Sequence, residues 1–366
     1  MRLKHRILDR FLAAHFFRAF GLVFFCIAGI ILLFSIIKSM AATGAQVPFR
    51  VVAQLAFLEI LRTLTTTLPL SVLLAGSLAF WRLSRSSELT VIRGAGVSVW
   101  GFLAPMIGAC VLIGILDMTI LSPINAAMDT RINKLKYRHS LSRRNPMLFS
   151  QNGLWLKEKT DLTQSFLYAG RVVKEGQTLK AENVSIFTTD LESNFLRRIE
   201  ARSATLENHS LQMTDVKMID PQLREESFAT YEYPTSLSGE KIEENSSEPD
   251  AFSFWELPGF IKFFEASGFS AKNHRLYFYT LLFMPLILSA MLFISALFSI
   301  SPSRDQKNLV LKLSAGVMIG FGAFFLDQIV RAMGAAGRLP LLGSSLLVPI
   351  TVILTCATVF LYREDG

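Results

Sequence analysis

The sequence predicts a membrane α-helical protein with six spanning helices, split three and three by an all-β domain outside the membrane. Apolar stretches occupy 16–37, 63–81, 99–121, 276–300, 309–330 and 345–361. Each approaches or exceeds the roughly 20 residues that cross a bilayer core. One long polar insert, 123–275, separates the third stretch from the fourth, and hydrophobic residues make up 51% of the chain. The expected boundaries are therefore 1–122 (an N-terminal amphipathic helix and three spans), 123–275 (the β domain with its connecting segments) and 276–366 (three more spans).

Residues 1–15 read as an interfacial helix. Leu3, Ile7, Leu8, Phe11 and Leu12 share a face, and Lys4, Arg6 and Arg10 lie elsewhere. The apolar run after it is longer than the roughly 7–15 residues of a signal-peptide core, so it reads as a retained span. The second segment, 51–82, has Pro69 as its one strong breaker. It exceeds one bilayer core, so it must tilt, kink at Pro69 or project. Glu59 and Arg62 are three apart and can pair on one face. The second–third loop reads as a short amphipathic helix. Ser87 is its expected capping residue, Glu88 opens it, Leu89, Val91 and Ile92 lie on one side, and Gly94 or Gly96 ends it. Such a helix suits docking into a partner's groove.

The insert changes period. Segments 153–157, 166–169, 183–187, 199–206 and 211–216 tend to alternate apolar and polar residues, the signature of half-buried strands. Turn chemistry at 175–176, 192–194, 208–209 and 220–221 separates them. A small antiparallel sandwich or open barrel is expected. The acidic, Ser/Asn-rich stretch 239–250 reads as a flexible loop. Residues 254–269 read as a short amphipathic helix leading back to the membrane.

The chain has a net charge of +8. The insert is near neutral, and the basic excess clusters at helix ends: Arg2, Lys4, Arg6 and Arg10, then Arg82, Arg85 and Arg93, then Arg304 and Lys307. With six alternating helices all of these share one side, which marks the cytoplasm, with both termini there and the insert opposite. No basic patch interleaved with aromatics suggests nucleic acid. Cys26, Cys110 and Cys356 all fall within predicted helices, where they read as packing residues, and no disulfide or metal spacing occurs. The five histidines lack metal-ligand spacing, and no phosphate-binding Gly-x-x-x-x-Gly-Lys-Ser/Thr loop, His-Glu-x-x-His or Gly-x-Ser-x-Gly appears. No catalytic residue is expected. Ionisable residues in or beside the spans are the candidates that remain: Lys38, Arg62, Asp117, Lys312, Asp327 and Arg331. Lys38, Lys312 and Arg331 lie near helix ends, where long side chains reach the interface. Asp327 reads as a buried partner of Gln328 or of a neighbouring helix.

Four short pieces make the chain resemble a known family: Leu8-Asp9-Arg10-Phe11, Ser87-Glu88-Leu89-Thr90-Val91 through Gly94-Ala95-Gly96, Asn152-Gly153-Leu154-Trp155, and Leu326-Asp327-Gln328. In this order and layout they resemble the LptF/LptG lipopolysaccharide-export permeases, on the LptG side. The resemblance implies an ABC-type permease that extracts lipopolysaccharide from the Gram-negative inner membrane through a periplasmic β-jellyroll-like domain. It implies a heterodimer with an LptF-like permease, two LptB-like ATPases that use the ATP and magnesium, a single-helix LptC-like subunit and a periplasmic LptA-like bridge. No cofactor is implied in this chain. Lys38 and Arg62 match basic positions lining the family's lipopolysaccharide cavity. Glu88, Leu89, Val91, Ile92, Arg93 and Gly94 match the helix that couples to the ATPase. Asp327, Gln328, Gly316 and Gly320 are expected to serve packing or gating in the fifth span. The lysines the family often carries just past its first helix are missing from 40–45, a departure that lipid A with fewer phosphates would fit. The alternative is a non-transporting membrane regulator of similar build. A lipid-modifying enzyme would need converging titratable groups, which the sequence does not offer.

Overall fold

The computed structural model describes residues 2–43, 48–138, 147–150, 153–159, 163–175, 178–190, 194–207, 210–222, 224–235, 249–266, 269–299 and 309–364. The chain divides into a helical unit, Met1–Leu135 with Arg275–Gly366, and a second unit, Lys136–His274.

The helical unit contains α1 (Arg2–Thr43), α2 (Phe49–Arg85), α3 (Glu88–Gly94) and α4 (Val99–Leu116). A π-turn, Asp117–Leu121, joins α4 to α5 (Ser122–Arg138). Among the described residues, five helical stretches are long and apolar enough to cross a membrane: Ile7–Ala41, Phe49–Arg85, Val99–Asp129, Val310–Ala335 and Leu341–Tyr362. The bent pair Lys272–Leu282 and Met284–Ser299 makes a sixth when taken as one span.

The separate interfacial helix expected at 1–15 is instead the start of one unbroken α1. Leu12, Phe16, Ala19 and Val23 are all buried and recur at helical spacing. One buried stripe thus crosses the expected boundary without a break. The third span also runs past its expected end. Pro123 lacks the N–H that an α-helix needs, and the π-turn just before it carries the chain through the resulting gap. The fourth span is broken rather than continuous, bending by 54° between Leu282 and Met284, just before Pro285. Gly114 of α4 faces this break, and a Cβ there would come within 2.6 Å of the Pro285 backbone. Pro69 does not divide α2, which runs through it for 37 residues, about 55 Å at the helical rise.

The segments beyond the insert are α7 (Lys272–Leu282), α8 (Met284–Ser299), α9 (Leu309–Ala335) and α10 (Leu341–Glu364). Leu73 and Phe80 of α2, Phe102 and Met106 of α4, and Leu288 and Leu292 of α8 form the centre of the core. Phe360 of α10 reaches it from another side. Cys110 and Cys356 are buried as expected of packing residues, but Cys26 is exposed.

Among the described residues the second unit holds seven antiparallel strands in consecutive order. They are β1 (Met147–Ser150), β2 (Gly153–Lys159), β3 (Thr163–Glu175), β4 (Thr178–Asp190), β5 (Phe195–Glu207), β6 (Ser210–Ile219) and β7 (Glu225–Pro234). The five strand segments expected from alternation lie in β2–β6; β1 and β7 are additional. Two cross-strand rows fix the register. Leu156, Leu167, Ile186, Ile199 and Met218 form one; Leu154, Ala169, Val184, Ala201 and Val216 form the other. Sliding any strand by one residue would turn these apolar side chains outward. Among the described residues no crossover interrupts the meander. Gly153 has φ +118°, and a Cβ there would meet the Ala169 carbonyl.

The expected amphipathic helix is α6 (Leu257–Ala266), with Leu257, Phe260, Ile261 and Phe264 buried. Ser253 donates its N–H and its hydroxyl to the Glu256 carboxylate, fixing the turn that opens the helix. Most of the acidic stretch 239–250 lies outside the described residues.

Candidate functional site

Candidate residues gather in three places in the helical unit. The first is α3, which occupies the 88–94 range expected from sequence. It is entered through Ser87 at φ +60° and followed by Gly96 at φ +81°. Ser87 does not cap it, because its side chain makes no capping hydrogen bond in this left-handed conformation. Ser98 supplies such a cap to the next helix, accepting from the Gly101 N–H at 3.2 Å.

Leu89 is buried in the helical core and Ile92 packs against it. Val91 is 70% exposed, so it does not join the inward face as expected. Three residues apart, Leu89 and Ile92 point the same way, while Val91 falls outside that arc. Arg93 and Gly94 are exposed as well. Glu88 is half-buried, and its Oε2 has no hydrogen-bond partner among the described residues. An apolar groove of about 440 Å³ runs between the start of α1 and this helix, lined by Ile7, Leu8, Phe11, Ser86, Glu88, Val91 and Ile92. The chain thus presents a short helix with an anchored side and a free apolar and charged side.

The second place is the opposite end of α2. Arg62 pairs with Asp129 of α5, Nη1 to Oδ1 at 3.7 Å. One turn further along α2, Asn125 Nδ2 donates to Thr65 Oγ1 at 3.4 Å. Lys38 lies on the exposed surface of α1. Near it, Ser35 donates to the Ala56 carbonyl and ties α1 to α2.

The third place is α9. Asp327 is 1% exposed, and Arg331 Nη2 donates to its Oδ2. This i,i+4 pair replaces the expected partnership with Gln328, which is half-buried. Arg331 does not reach the interface as a long side chain near a helix end was expected to. Its side chain is 12% exposed and held by the pair. A Cβ on Gly316 would lie 2.6 Å from Phe298 Cβ, and one on Gly320 would collide with Leu73. Both glycines therefore allow close packing of α9 within this chain. Gly322 has nothing within 4 Å of its Cβ position. In the third span, Asp117 is 1% exposed, and neither carboxylate oxygen has a hydrogen-bond partner among the described residues.

Sequence reasoning missed the contact of Asp129 with Arg62. No local spacing links it to Arg62, and ending the third span at 121 placed it in the soluble insert. It also missed the Asp327–Arg331 pair, although an i,i+4 acid–base spacing was there to be read.

Residues 10–363 match the family model described as lipopolysaccharide export system permease LptF/LptG. The chain is 23% identical over 286 residues to the lipopolysaccharide export system permease protein LptG of Escherichia coli K12, covering 76% of each chain. It is 23% identical over 314 residues to the LptG protein of Haemophilus influenzae, covering 81% of each.

Proposed function

Because the chain belongs to the LptF/LptG family of lipopolysaccharide export permeases, we propose that it is one permease half of an ABC-type exporter driven by a separate ATPase. The observation that carries this is α3. Its Leu89 side is fixed in the core, and its Val91 and Arg93 side is offered to a partner. The sequence has no nucleotide-binding loop, so a conformational drive must come from outside the chain. A rigidly anchored helix can receive it.

In this reading the end of α2 bearing α3 faces the cytoplasm, as the basic loops favour. Two LptB-like subunits bind there and hold the ATP and magnesium. An LptF-like permease completes a cavity, and an LptC-like single-helix subunit joins the assembly. Both termini are cytoplasmic. The β unit is periplasmic and passes lipid to an LptA-like bridge. Lys38 and Arg62 bind phosphate groups of lipopolysaccharide, Lys38 as a compact charge and Arg62 through a guanidinium that matches two phosphate oxygens. Asp327, Gln328, Gly316 and Gly320 support movement or packing of the fifth span.

Photocrosslinkers placed at Lys38 and Arg62 in intact cells test this reading, with Leu112 on α4 as an outward-facing control. Lipopolysaccharide adducts are expected at the first two positions and not at the third. No adduct at either, in an assembled complex, overturns the assignment of the cavity.

A further inference from the structure

Arg62 and Asp129 are an unequal pair. The Arg62 side chain is 47% exposed, and that of Asp129 is 12% exposed. At 3.7 Å the contact is longer than the roughly 2.7–2.9 Å of a charge-assisted hydrogen bond. The carboxylate is thus largely covered, and the guanidinium beside it is about half exposed.

The surroundings keep the carboxylate in place. Asn125 lies one turn before Asp129 on the same face of α5, is 8% exposed, and reaches Thr65 on α2. The Arg62 carbonyl accepts hydroxyl hydrogen bonds from Thr65 and Thr66, each at 2.8 Å. Thr63 likewise bonds back to Glu59. With these hydroxyls turned to the backbone, charge is the main polar attraction this surface offers a ligand.

We propose that Asp129 is a positioning residue for substrate: an internal anion that holds Arg62 in place and is displaced by a lipopolysaccharide phosphate. This rests on the reading that Arg62 faces the substrate cavity. A phosphate offers more charge than a carboxylate and oxygens that match both arms of the guanidinium, whereas Asp129 meets it at 3.7 Å. Asp129 therefore sets a threshold. A phosphorylated lipid competes for Arg62, and an unphosphorylated one does not. When the lipid leaves, Asp129 takes the guanidinium back.

The test uses the assembled complex in lipid nanodiscs, with a photocrosslinker at Thr66, one turn from Arg62. Labelling is titrated with native lipopolysaccharide and with the same lipid after enzymatic dephosphorylation. Asp129→Asn is expected to lower the half-saturating concentration of native lipid by about fivefold, the upper end for a partly exposed ion pair. Asp129→Glu, which keeps the charge, should stay near wild type. The gain should vanish with dephosphorylated lipid and in an Arg62→Ala background, which a purely structural role for Asp129 would not produce. Asp129→Ser provides a second neutral variant if Asn impairs assembly. Unchanged or weaker binding of native lipid by the neutral variants, with wild type labelled normally, overturns the proposal alone. No labelling of assembled wild type at Thr66 overturns the cavity reading as well.

Discussion

Two Asp–Arg pairs in the helical unit share one chemistry and differ in everything else. Asp327–Arg331 lies within one helix, with side chains 2% and 12% exposed. Arg62–Asp129 bridges two helices at 3.7 Å, with the arginine half in the open. The first pair is enclosed and has nowhere to go. The second is open on the arginine side, as the proposed exchange of Asp129 for a phosphate requires. Burial, more than the identity of the residues, separates a structural pair from one suited to binding.

The largest effect is expected from breaking the enclosed pair. Asp327→Ala leaves Arg331 uncompensated inside the helical bundle, and such losses cost about 3–5 kcal/mol. Thermal unfolding in detergent should show it directly. The double variant Asp327→Leu with Arg331→Met should recover most of the loss, since an apolar replacement removes the desolvation penalty of both groups. A neutral outcome for the single variant would mean the pair is wetter than its geometry implies, and the contrast with Arg62–Asp129 would collapse.

Glu88 stands between the two cases: half-buried, with one carboxylate oxygen lacking a partner among the described residues. If that oxygen awaits a group on the ATPase, Glu88→Lys should uncouple ATP hydrolysis from export. A loss of about 30-fold, or ~2 kcal/mol, is typical of a central interface residue. The permease itself should unfold at a nearly unchanged temperature. Surface delivery of lipopolysaccharide and co-purification of the ATPase would be measured together. Normal export by a correctly assembled Glu88→Lys complex would sink the coupling role.

How legible these sites were in the sequence follows the range of the contacts. The α3 helix was readable at 88–94 because its signals are local: a charged start, an apolar pair three apart, and glycines at and just past its end. Its outward Val91 was misplaced, since a short helix has too few turns to define an arc. Strands β2–β6 announced themselves by alternation. β7 did not, because its side chains are exposed along most of its length and burial does not impose a period on it. The unbroken α1 and the extended third span were hidden because an amphipathic face and the extent of the apolar runs set the expected boundaries. A buried stripe overrode the first expected boundary, and a π-turn absorbed the proline at the second. Asp129 was lost with that second boundary. Its partner lies far away in sequence, so only the side-chain contacts between α2 and α5 reveal it.

A smaller effect on the fold is expected at Arg62. An exposed pair of this kind contributes about 0–1 kcal/mol, so Arg62→Ala should barely shift thermal unfolding while it weakens lipopolysaccharide labelling near α2. A large loss of stability would place Arg62–Asp129 in the same class as Asp327–Arg331 and remove the distinction between them.

The smallest effect is expected from Lys217–Glu225 on the β sheet, even though its 2.9 Å contact is shorter than that of Arg62–Asp129. Both side chains are at least half exposed, so water and salt screen the attraction. The hydrogen bond to Glu225, then its charge, raises the Lys217 pKa above the ordinary lysine value. A raised folded-state pKa favours the fold fully below the ordinary lysine range, and that favour is lost as pH rises through the shifted value. Lys217→Met should therefore leave unfolding almost unchanged at neutral pH, and any small difference from wild type should close in strong alkali. A clear loss at neutral pH would show that distance outranks burial in this protein, and would require the two arginine pairs to be reordered by geometry.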